Sequence, residues 1–185
     1  MLAKIKNLKA QVWVETAIYT VIGLAIIGVI LAVANPAIEK HKDRIVIEQT
    51  IDVLNDINEK ILETQSRGFG NKRIIPEIYI KRGTLTIDGE GDRMTYLLEE
   101  SRFKYSEIGA EIREGDITII TQKRGRKFDI NMTINYENLN ITYNGEDTKK
   151  IISQSPSPYK LSIENSGVTG EEPNKKIWID IKEEG

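Results

Sequence analysis

Between Glu15 and Glu39 the chain runs for 23 residues without a charged side chain, TAIYTVIGLAIIGVILAVANPAI. As a helix that run is roughly 35 Å long at 1.5 Å per residue, against a hydrocarbon core of about 30 Å, so it is long enough to cross a bilayer. From Ile45 the pattern changes. Ile47, Ile51, Leu54, Ile57 and Ile61 recur at spacings of four, three, three and four, which makes one apolar face of an amphipathic helix. Glu48, Asp52, Asp56, Glu59 and Lys60 take the opposite face, with Asp56 and Lys60 a supportive i,i+4 pair. Asn35-Pro36 predicts a kink or local loosening where the helix leaves the apolar phase. Ser66-Arg67-Gly68-Phe69-Gly70 predicts its end. A helix continuous from Gln11 to Leu62 is roughly 78 Å long.

Beyond Asn71 the sequence reads as strands joined by turns. Residues 78–80, 84–87, 117–121, 128–136, 139–143, 159–163 and 177–181 are rich in β-branched and aromatic residues and mostly alternate. Residues 93–101 suit a strand or a short helix, because Met94, Leu97 and Leu98 fit helical spacing. Residues 153–158 and 166–174 read as loops. The expected class is α+β, a long N-terminal hydrophobic helix followed by an antiparallel β-rich head. The expected division is a leader over residues 1–10, a transmembrane or core helix over 11–38, its amphipathic continuation over 39–65 and the head over 71–185.

Composition narrows the chemistry. With 26 Lys and Arg against 28 Asp and Glu, the net charge of −2 gives no electrostatic case for nucleic-acid binding. The absence of cysteine removes disulfides, Cys-ligated zinc and thiol nucleophiles. The lone histidine, His41, has no second imidazole with which to share a metal, and a Ser-His-Asp triad would have to be built on it. Adjacent carboxylates such as Glu99-Glu100 and Glu171-Glu172 point to opposite faces of a strand and cannot act together. No catalytic constellation and no cofactor are expected.

The first ten residues, MLAKIKNLKA, carry Lys4, Lys6 and Lys9 as their only charges, which favours a cytoplasmic N-terminus with the bulk of the chain outside. Three fates compete for the segment that follows. An uncleaved signal anchor fits its length. A secretory signal peptide fits the A-x-A pattern of Ala32-Val33-Ala34, although the apolar stretch exceeds the usual h-region of about 7 to 15 residues and Glu15 sits where that region would begin. The third accounts for Glu15. Lys9-Ala10-Gln11-Val12-Trp13-Val14-Glu15, followed at once by the apolar run, resembles the processing site of archaeal type IV pilins and archaellins.

That resemblance implies cleavage by a membrane-embedded prepilin peptidase between Ala10 and Gln11, with Glu15 as the fifth mature residue. It also implies self-assembly of copies or related pilins into an extracellular filament used for adhesion, and a helix half in the filament core and half under a globular head. The physics of Glu15 can be stated apart from the resemblance. An unpaired carboxylate at the centre of a membrane helix costs about 2.5 to 3.5 kcal/mol on insertion scales. Cleavage after Ala10 would place a new α-ammonium on Gln11 one turn away, or within reach from a neighbouring subunit. In a monomeric anchor Glu15 would instead snorkel at the interface. Ala17, Gly23, Ala25, Gly28, Ala32 and Ala34 would let helices approach closely. The alternative reading is a monomeric, single-pass membrane-anchored protein whose head binds a ligand outside the cell.

Two sequons lie in the β-rich half, Asn131-Met132-Thr133 and Asn140-Ile141-Thr142, each matching the N-glycosylation pattern. Alternation puts both asparagines on the faces opposite the apolar residues, towards solvent. Lys123-Arg124-Gly125-Arg126-Lys127 reads first as a solvated hairpin tip, since no aromatic platform flanks it. Asp88-Gly89-Glu90-Gly91-Asp92 reads first as a turn, because it lacks EF-hand spacing for calcium.

Overall fold

The computed structural model describes residues 2–171, 173 and 175–184, with side chains from residue 12 onward. It opens with one helix, α1 (Leu2–Ser66), followed by β1 (Lys72–Ile78), β2 (Thr84–Asp88), β3 (Arg93–Ser101), β4 (Glu111–Glu114) and β5 (Ile117–Arg124). Then come β6 (Lys127–Asn135), β7 (Leu139–Tyr143), β8 (Lys149–Ser153), β9 (Tyr159–Thr169) and β10 (Lys176–Glu183). The chain divides into two units, residues 1–41 and residues 42–185. The first is the N-terminal part of α1. The second holds the rest of α1 and all the described strands. The α+β class follows directly.

In the second unit the strands form two sheets, one in the order β1-β9-β10-β7 and one in the order β4-β5-β6-β3-β2-β8. Their inner faces and one face of α1 share a single apolar core. Ile47, Leu54 and Ile61 of the helix are fully buried, and so are Ile87, Leu98, Ile119, Ile130, Met132 and Ile141 from the strands. The spacing of Ile47, Ile51, Leu54, Ile57 and Ile61 therefore marks the covered helix face, as expected.

Local polar bonds fix both ends of the covered helical segment. Asp43, almost wholly buried, accepts from the Arg82 guanidinium and from the backbone N–H of Arg102 at 2.6 Å. The same guanidinium donates to the carbonyls of Glu99 and Glu100, each at 3.0 Å, where β3 bulges between Leu98 and Ser101 and Glu100 takes a φ of 56°. At the other end the amide of Asn71 donates to the carbonyls of Arg67 and Gly68, at 2.8 and 3.1 Å, and that of Asn165 reaches the Thr64 carbonyl at 3.4 Å. The Asn165 amide thus reaches a carbonyl of the last helical turn, and the Asn71 amide ties down the two residues that follow the helix. Gly83, at φ +92°, brings the chain so close to β3 that a Cβ there would lie 2.6 Å from the Leu97 carbonyl oxygen.

Several expectations need correction. Residues 93–101 form a strand, because Met94, Tyr96 and Leu98 alternate into the core while Leu97 faces out. β1 starts at Lys72, ahead of the expected 78–80; Pro76 hides it from pattern reading and coincides with a register shift between Ile75 and Ile78. β9 runs on to Thr169 and takes in 166–169, expected to be loop, with its own irregularity opposite Trp178 and Ile179. β4 and β8 were not expected; both are short, charged edge strands with too few apolar residues to announce themselves. Among the described strands the pairing is antiparallel except between β7 and β10, which run parallel. On α1, Lys60 pairs with Glu63 at 3.3 Å rather than with Asp56.

Candidate functional site

The first candidate is the N-terminal part of α1. From Val12 to Ser66, α1 is long and apolar enough to cross a membrane. Over residues 12–38 its large apolar side chains lie bare, among them Trp13, Tyr19, Leu24, Val29 and Val33, and none of its most apolar stretch is buried. A helix apolar all round has no face to give to water and needs lipid or other helices as surroundings. Its hydroxyls do not contradict that need. Thr16 donates to the Val12 carbonyl at 2.9 Å and Thr20 to the Thr16 carbonyl at 2.8 Å, so each is satisfied within the helix. Glu15 is exposed one turn into this stretch. Ala10 and Gln11 fall on α1, but their side chains lie outside the described residues.

The two sequons sit in different settings. Asn131 is half-buried on β6, between β5 and β3, and its side-chain oxygen accepts from the Thr133 hydroxyl at 3.2 Å. Asn140 is half-buried on β7, and its amide reaches Asp147 at 3.4 Å. Thr142 is buried: its hydroxyl donates to Asp180 at 2.7 Å and accepts from the Trp178 indole at 2.8 Å. Register adds a feature that alternation could not reveal, a cross-strand row of Thr86, Thr95, Thr133 and Thr118 on the outer face of the six-stranded sheet.

The charged turns are largely neutralised from within. At the β5–β6 tip, where Gly125 takes a φ of 62°, Arg124 pairs with Asp129 at 2.7 Å and Glu99 at 2.9 Å, and Lys127 pairs with Glu100 at 2.6 Å. Lys127 thereby holds the Glu100 carboxyl below its ordinary range. In the β2–β3 turn Asp88 accepts from Arg93 at 2.9 Å and from the Gly91 N–H at 3.2 Å, while Asp92 takes Lys176 at 2.6 Å and the Ile141 N–H at 2.9 Å. These carboxylates are thus committed to cations and amides of the chain itself. No group of three or more metal-ligating side chains occurs among the described residues.

The second candidate is a cavity of about 470 Å³ where α1 meets the β4–β5 turn and the β6–β7 turn. Asn58 and Gln65 of the helix, Arg113 of β4, Asp116 of the β4–β5 turn, and the segment from Asn135 at the end of β6 to Leu139 at the start of β7 line it. The Asn58 amide donates to Asp116 at 2.8 Å and fixes that carboxylate. Tyr136, 6% exposed, has a hydroxyl with no hydrogen-bond partner among the described residues. Burial pushes that hydroxyl's pKa well up, and the Asp116 charge adds to the rise. Alternation placed Tyr136 on the inner face of its strand, but only the meeting of two turns with the helix makes a cavity beside it. The polar stretch Asn135-Tyr136-Glu137-Asn138 was the available signal.

Comparison with family models, with curated proteins and with solved structures finds no match to this chain. The functional reading therefore rests on the residues themselves.

Proposed function

We propose that the chain is a structural subunit of an archaeal type IV pilus-like surface filament, made as a membrane precursor with its N-terminus in the cytoplasm and processed by a prepilin peptidase between Ala10 and Gln11. In this reading the apolar part of α1 packs with its copies in the filament core. The β-rich head forms the outer, adhesive surface, and the protein is not an enzyme.

The observation that carries the proposal is the bare apolar helix with one carboxylate near its head. Apolar side chains cover that helix all round, and Glu15 stands one turn from the new amine that cleavage would create. A lipid-anchored monomer would explain the apolar surface and leave Glu15 an unneeded cost; an α-ammonium from a neighbouring subunit turns that cost into a fixed register. The small residues at Gly23, Ala25 and Gly28 suit close approach of helices in such a core. The cavity in the head favours a second reading, a monomeric anchored binding protein, which needs no role for Glu15.

The two readings separate on Glu15→Ala. In cells expressing the variant, the filament reading expects normal membrane insertion and loss of filaments by electron microscopy. Filaments of ordinary length and abundance from Glu15→Ala would refute the pairing.

A further inference from the structure

The end of the head that holds Asp43 carries free charge of one sign. Asp43, at the start of the covered helical segment, accepts from the backbone N–H of Arg102 at 2.6 Å. Ser101 stands in register with Phe128, and Phe128 with Lys123. The β5–β6 tip therefore lies at this end, roughly 10 Å from Arg102 across two strand spacings. The carboxylates here are already committed: Asp43 to Arg82, Glu99 and Asp129 to Arg124, and Glu100 to Lys127. Arg102, Lys123 and Arg126 are exposed, and none of the three side chains has an ionic partner among the described residues. This cationic end sits on an acidic head. The first 41 residues hold four of the 26 Lys and Arg and two of the 28 Asp and Glu, which leaves residues 42–185 at a net charge of −4.

Chain connectivity keeps this end close to the apolar run. Asp43 follows Ile38, the last residue of the charge-free run, by five positions. Five residues span at most roughly 18 Å, however the chain is bent between them. A bilayer crossed by that run thus brings its headgroups within reach of this end. Lipid phosphates accept charge-assisted hydrogen bonds from guanidinium and ammonium groups, and Lys and Arg clustered beside a membrane helix are drawn to an anionic surface. A nucleic acid is disfavoured, because the rest of the head would repel it. We propose that in the membrane-bound chain this end of the head rests on anionic lipid headgroups, with Arg102, Lys123 and Arg126 contacting their phosphates. The proposal rests on the apolar helix crossing a membrane and not on filament assembly.

The chain has no cysteine, so one introduced cysteine carries one dye. Gln122→Cys lies exposed beside the tip, and Asn138→Cys lies exposed beyond the other end of β6, a strand roughly 26 Å long. Each full-length labelled chain is reconstituted into vesicles of phosphatidylcholine alone or with roughly a quarter phosphatidylglycerol. Short-range quenching by nitroxides on the lipid headgroups reads contact, and flotation of the vesicles reads insertion separately. Quenching at position 122 is expected to be about threefold stronger with phosphatidylglycerol than without it, and to fall back at about 1 M salt, where the screening length is about 3 Å. Quenching at position 138 should be weak in both vesicles. Lys123→Gln combined with Arg126→Gln should return position 122 to its level in phosphatidylcholine, and Arg102→Gln should lower it part of the way. These side chains have no ionic partner in the head, so the variants should keep the parent's melting midpoint. A chain that floats with both vesicles but is quenched equally in them, or a double variant quenched like the parent, would overturn the proposal and leave the membrane reading intact. A chain that floats with neither would overturn both.

Discussion

The helix α1 contains two stretches of the same secondary structure and opposite circumstances. Over residues 16–38 it is apolar on every side and bare; over residues 43–66 it is apolar on one face, and that face is buried to the last atom at Ile47, Leu54 and Ile61. Fully burying one such side chain contributes about 1.5–3 kcal/mol, so the second stretch is held by the head's own core. The first stretch obtains nothing comparable from this chain. Its stabilising surroundings must come from outside, whether lipid or other helices. Helical pattern alone does not distinguish the two; the distribution of charge around the helix does, because a stretch that carries no charges can be complete only in a non-aqueous setting.

That contrast can be broken at single residues. Leu54→Ala should destabilise the head by about 2–5 kcal/mol, since it opens a cavity in a fully packed core. Ile27→Ala, the same kind of truncation in the bare stretch, should change head stability by less than about 0.5 kcal/mol. Denaturant unfolding of the two variants in micelles, followed by near-ultraviolet circular dichroism, reads both. Equal losses would mean that the two stretches share one cooperative core.

A smaller effect sharpens the comparison through pH. Arg73 and Lys60 hold the Glu63 carboxyl below its usual 4.5, Lys127 does the same for Glu100, and Lys72 for Glu184. These carboxyls take up protons more readily in the unfolded chain than in the folded one. Their contribution is therefore present above about pH 4.5 and is lost as pH falls through the lower folded values. The melting midpoint of the head should drop below that pH, less steeply at high salt because the groups are exposed. Glu100→Gln should flatten the drop slightly, whereas charge-free residues 16–38 offer no titrating group to contribute to it. A profile in Glu100→Gln identical to the parent's would remove Glu100 from this account.

Much of this architecture was legible in the sequence, and the gaps have physical causes. The covered helix face was readable because five apolar residues at helical spacing admit one burial pattern. The central strands β3, β5 and β6 are the ones whose two faces differ most, and the choice of strand for residues 93–101 needed only the core's demand for Met94, Tyr96 and Leu98 together. β4 and β8 were missed, and β1 was expected too late, because these edges carry lysine, glutamate and proline, as in Lys149–Ser153, Glu111–Glu114 and Lys72–Ile78, whereas the edge strand β7 was expected from its alternation. The parallel pairing of β7 with β10 and the row of four threonines depend on register between distant segments, which no local pattern encodes. Glu15 was visible because it interrupts an apolar context. The Asp116 and Tyr136 cavity was not, because its lining comes from three separated parts of the chain, each unremarkable alone.

The most direct test of the claim that the bare stretch of α1 is a processed assembly element is the mature N-terminus of protein recovered from native cells, by mass spectrometry of the terminal peptide. The account predicts a peptide beginning at Gln11. A peptide beginning at Asn35, or one retaining Met1, would contradict it.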